Sequence, residues 1–134
     1  RSFETWTHAD DARRAIGRPM VPPPAASLLT MGHVACRLVP RMLDARGARH
    51  PGRLVRITFT DLGDAASWDV DLGLLDSARP AGDTAVDVAI AVDALSFCRG
   101  VSARLPEGGV AYRAQGDESL ARAVIEALPA LAML

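Results

Sequence analysis

Arg53-Leu54-Val55-Arg56-Ile57-Thr58-Phe59-Thr60 is where this chain changes its period. Val55, Ile57 and Phe59 alternate with Arg56, Thr58 and Thr60, so a strand here puts one face in a core and the other in water. Asp61-Leu62-Gly63-Asp64 supplies turn residues, and beyond it Trp68, Val70 and Leu72 alternate with Asp69 and Asp71. The two runs predict an antiparallel pair. Asp69 and Asp71 share one strand face and read as a solvated sheet surface rather than as paired catalytic carboxylates.

Downstream, a Gly/Pro/Asp-rich loop from Gly73 to Asp83 leads to a third strand with Val86, Val88, Ile90 and Val92 inward. Asp93 is placed to cap a short helix carrying Leu95, Cys98 and Val101, which runs out near Pro106-Glu107-Gly108-Gly109. A fourth strand is expected over Val110 to Ala114, and Asp117 then caps a final helix that buries Leu120, Val124 and Leu128. Upstream, Ser27 is read as the cap of a helix whose stripe is Leu28, Met31, Ala35, Leu38 and Met42. Pro40 inside it predicts a kink or a split. Before that come the stiff Pro22-Pro23-Pro24 spacer and a first helix ending near Ile16, where Gly17 can turn left-handed and Pro19 blocks continuation. The order ααβββαβα predicts an α+β layer: a small, mainly antiparallel sheet covered by helices on one face. The strands and helices carry about enough apolar bulk to fill one another, so no open lipid tunnel is expected.

Composition narrows the class. The chain has 134 residues, 49% of them hydrophobic, and a formal net charge of -1, values suited to one ordinary domain or one domain plus part of a neighbour. All 15 basic residues are Arg and they are scattered, which gives no reason to expect nucleic acid. Cys36 and Cys98 fall in apolar helical patterns and read as two reduced core thiols. No apolar run approaches the ~20 residues of a membrane span, and no signal-peptide pattern is present. A cytoplasmic protein with no membrane partner is the expectation.

One constellation carries chemistry. Glu4, His8 and Asp11 lie at i, i+4 and i+7, on one face of the first helix. A carboxylate and an imidazole one turn apart can share a divalent cation, and a second carboxylate can orient the imidazole. The same spacing also describes an ordinary solvated pair, and two ligands do not close a metal site. His33 lacks an acidic partner at ligand spacing and His50 precedes Pro51 in a loop.

Phe3-Glu4-Thr5-Trp6-Thr7-His8-Ala9-Asp10-Asp11-Ala12-Arg13-Arg14, followed by Gly17-Arg18-Pro19 and the prolines, resembles the last metal-binding helix of the mycothiol-dependent maleylpyruvate isomerase family. His50-Pro51-Gly52-Arg53, Ser67-Trp68-Asp69-Val70, Val86 to Ile90, Phe97-Cys98-Arg99 with Arg104-Leu105, and Gln115-Gly116-Asp117 are similar to that family's C-terminal domain, related in fold to sterol carrier protein 2. The resemblance covers nearly the whole chain. It implies residues 1–18 as the last helix of a DinB-like bundle, 19–26 as a proline-rich linker and 27–134 as the C-terminal α+β domain.

By the same resemblance, Glu4 and His8 map onto metal ligands, with a third His from upstream, and Asp11 onto the supporting acidic position. The cofactors implied are a divalent metal, usually zinc, and mycothiol. Thiolate adds to an activated cis double bond, the resulting single bond rotates, and elimination gives the trans isomer. Arg99, Arg104 and Arg113 are the candidates to hold the substrate's carboxylates with their forked donors. The chain begins on this helix, so it reads as the C-terminal segment of such an enzyme, incomplete without its upstream helical bundle. Two other readings stand beside it. One is an apolar-ligand module lined by Leu54, Phe59, Trp68, Phe97 and Leu105. The other is an interaction domain whose first helix, with Phe3 and Trp6, packs on a partner chain, so that helix is expected to pack loosely or between molecules.

Overall fold

The computed structural model describes residues 2–63, 66–105 and 107–134, apart from the side chains of Ser2 and Phe3. Phe3's side chain, Asp64 and Pro106, named above, lie outside the described residues. Helix α1 spans Ser2–Ala15 and α2 spans Ala25–Ala45; strands β1 (Leu54–Phe59), β2 (Ser67–Asp71), β3 (Arg79–Pro80) and β4 (Val88–Val92) follow. Helix α3 (Ala94–Val101), strand β5 (Tyr112–Gly116), helix α4 (Glu118–Ala127) and a 3-10 segment, Leu128–Met133, complete the chain. The α+β expectation holds.

The sheet has the order β3-β2-β1-β4-β5. β1 and β2 form the expected antiparallel pair, Ile57 facing Trp68 across the ladder. At the centre, however, β4 runs parallel to β1, Val55 beside Val88 and Phe59 beside Val92. The chain returns from the short edge strand β3 to the end where β1 began, and Asp87 fixes that return: its N–H donates to Leu54 O at 2.8 Å and its carboxylate accepts from Leu54 N at 2.7 Å. β3 lies inside the expected loop, and Pro80 on it blunts an edge. The fourth expected strand is shifted by two residues, because Val110 is buried in the core, against Gly100, before pairing begins at Tyr112.

Helices lie on one sheet face. Val55, Ile57, Phe59, Val70, Val88, Ile90 and Val92 meet Val39, Met42, Leu43, Phe97, Val124 and Leu128 in a single buried cluster. α2 is one continuous helix through a buried Pro40, neither split there nor begun at Ser27. Its N-cap is Pro24, whose carbonyl accepts from Leu28 N at 3.0 Å, so the second helix starts three residues before the cap expected at Ser27. Asp93 and Asp117 do cap α3 and α4, accepting from Leu95 and Ser96 N–H groups and from Leu120 N respectively. No helix among the described residues is long and apolar enough to cross a membrane.

The far sheet face is polar, but not as the alternation suggests. Asp69 is buried, and Arg56 grips it with two donors at 2.7 and 3.0 Å. Burial pushes the Asp69 carboxyl up, but the Arg56 fork and the Gly82 N–H outweigh it and hold the group below its ordinary value. Asp71 instead closes a local turn onto Gly73 N.

Candidate functional site

α1 does not stand off from the rest of the chain. Thr7 and Asp10 on its underside are buried, and Trp6 packs on Leu28, Met31 and Cys98 while its indole N–H reaches Val21 O at 3.4 Å. The helix thus has partners within its own chain. Arg104, in the loop after α3, forms the tightest of these contacts. Its Nε and Nη2 donate to the two oxygens of Asp11 at 3.1 and 2.5 Å, and its Nη1 to Ser102 O. The guanidinium lowers the Asp11 carboxyl pKa below 3.8.

This docking forms an open cleft of about 500 Å³ between α1, α2, the end of α3 and the 3-10 segment. Glu4, His8 and Arg104 line it together with the apolar Val34, Val101, Leu131 and Leu134. Glu4 and His8 are exposed and open onto the same space, as their spacing requires. Two donors do not make a closed metal centre, and among the described residues no group of three His, Cys, Asp or Glu side chains is placed to hold an ion.

The three arginines part company. Arg104 lines the cleft but is already forked onto Asp11. Arg99 is half-buried beside the linker, with Nη1 3.4 Å from the sulfur of Met20 and its buried Nε unpartnered. Arg113 projects from β5 on the far sheet face, beside a trough of about 590 Å³ lined by Ala89 and Ala91. Sequence reasoning missed Asp10: it is 2% exposed, bound to Arg14 through one oxygen at 3.3 Å, with the other oxygen unpartnered. Its apolar-looking position opposite Glu4 and His8 was the available signal.

The residues suggested to line an apolar cavity do not enclose one together. Phe59 packs edge-on against Phe97 and tilted against Trp68, with centroids 5.3 and 5.6 Å apart, and Leu105 is exposed elsewhere. His33 stacks on Trp68 at 5.4 Å. Both cysteines are free and buried, and burial pushes the Cys98 thiol up to about 12 and Cys36 further, which favours the protonated thiol at both.

No family model matches the chain, and no curated protein matches it. Among solved structures it is similar to a conserved hypothetical protein from Thermus thermophilus described as possibly a sterol carrier protein. That similarity spans 78% of this chain and 85% of the other, at 16% identity and a TM-score of 0.43, too loose a superposition to carry a function across.

Proposed function

We propose that this chain is the C-terminal part of a metal- and thiol-dependent enzyme of the maleylpyruvate isomerase type, in which Glu4 and His8 are two of the metal ligands. The observation that supports this is the shared cleft: two metal-compatible donors one helical turn apart open onto the same space as a guanidinium and an apolar wall. The remaining ligand comes from outside these residues, from an upstream helical bundle or a partner chain. The divalent metal, zinc by preference, supplies one thing when bound: it brings a thiol such as mycothiol into its thiolate form near neutrality. The chain's own part is to hold donors and substrate. Of the three candidate carboxylate binders, Arg104 shares the cleft with Glu4 and His8, where it is already forked onto Asp11, and Arg113 is on the opposite sheet face.

Cobalt(II) titration followed by visible absorption tests the ligand assignment. Weak, His8-dependent absorption is expected from this chain, and tight binding once the chain is joined to a helical bundle that supplies the third His. Loss of the signal in His8→Ala, with the circular dichroism unchanged, completes the expected result. No His8-dependent absorption in either protein would end the reading.

The apolar wall favours a second reading, a carrier-like module that takes a small apolar ligand in the same cleft. Stoichiometric lipid retained in native mass spectrometry, and released by Val34→Asp, would place it above the enzyme reading.

A further inference from the structure

We propose that Arg104 is a positioning residue, clasping α1 to the end of α3 through Asp11 and so fixing where Glu4 and His8 stand against the cleft. Two independent features point to a built clasp. First, both oxygens of Asp11 are taken by one guanidinium, at 3.1 and 2.5 Å, across 93 positions of sequence. A planar fork on a carboxylate fixes orientation as well as distance, which a single ammonium contact does not.

The second feature is the backbone that aims it. α3 ends in a 6→1 closure, Arg104 N donating to Arg99 O at 2.9 Å, with Ala103 N donating to Gly100 O at 3.0 Å. This closure needs a left-handed residue, usually glycine. Here the position is Ala103, at φ 57°, the one non-glycine residue with positive φ among those described. An alanine held there is strained, and the surrounding contacts maintain it. The corner sends Arg104 back toward α1, where Nη1 is further tied to Ser102 O. The carboxylate of Asp11 is the acidic group of α1 that the guanidinium holds, and Asp10 on the same helix adds to the attraction at longer range.

Asp11 is one turn beyond His8, and a rigid helix transmits its placement to both cleft donors. Both oxygens of Asp11 accept from Arg104, so in the clasp its part is to anchor the helix. The consequence for metal rests on the reading above; the clasp itself is measured without metal.

Amide hydrogen exchange along α1 tests it in the whole chain. Arg104→Gln and Asp11→Asn are each expected to speed exchange of α1 amides by about three- to five-fold, the size of a partly exposed ion pair, while β1 and β4 amides are unchanged. The charge swap Arg104→Asp with Asp11→Arg is expected to restore protection, which loss of general stability would not do. Wild-type α1 exchange should also quicken in high salt, a reading that needs no variant to fold. Unchanged α1 exchange in both single variants and in salt would overturn the clasp. Should the clasp hold while cobalt gives no His8-dependent absorption, the metal reading alone falls.

Discussion

At the residue scale, Gly116 shows how one backbone position sets the edge of the sheet. It has φ 114°, and a Cβ placed there would lie 2.4 Å from Asp87 O. Gly116→Ala is therefore expected to cost about 3 kcal/mol, from a forbidden dihedral and a backbone clash together, read as a lower urea midpoint. A change below about 0.5 kcal/mol, the range of an ordinary surface substitution, would contradict that account. Asp117, next in sequence, accepts from Leu120 N at 3.0 Å and from Arg53 at 2.6 Å. The Leu120 N–H first, and then Arg53, hold its carboxyl pKa below 3.8. The unfolded chain thus takes up that proton before the folded one does. The stability this supplies is full above the unfolded value and is lost as pH falls through the lower, folded one. Asp117→Asn keeps a capping side chain without the titration, so the acid limb of a stability-versus-pH curve should become shallower. An unaltered limb would show that Asp117 does not contribute to it. The capping role was legible because Asp followed by an apolar helical stripe has a local cause. Burial of Asp69 was not, since a period of two assigns faces but cannot say that Arg56 on the neighbouring strand makes burial of a carboxylate tolerable.

At the element scale, α2 rests directly on the sheet at Gly32. A Cβ there would meet the Phe59 ring at 2.2 Å, closer than any rotamer adjustment of a ring held by Phe97 and Trp68 can relieve. Gly32→Ala is expected to destabilise by roughly 1–3 kcal/mol despite alanine's better helix propensity, with much of the loss recovered in the Phe59→Leu background. Additive losses in the double variant would show that the two positions do not touch. The start of α2 escaped the sequence because a proline can serve as the flanking residue of a helix without a side-chain bond, and Ser27 looked the better cap. Pro40 does not split the helix. It is tolerated as a buried surface within an unbroken helix, where a single lost hydrogen bond is offset by packing.

On the scale of the whole molecule, alternation alone recovered the layer and the face the helices cover, because both follow from which side chains avoid water. The parallel pairing of β1 with β4 did not, since partner choice depends on a chain return set by Asp87 and the loop before it. The candidate site divides along the same line. Glu4 and His8 share a face by helical arithmetic, whereas Arg104 reaches that helix only through the folded domain. The central claim, that this cleft is the metal-responsive part of the molecule, is tested most directly by long-range nitrogen–proton NMR of the three histidines during zinc addition. His8 is expected to shift first and alone, with its response lost in Glu4→Gln, while His33, stacked on Trp68, and His50 stay in place. Equal shifts at all three histidines, or a His8 response that survives Glu4→Gln, would contradict it.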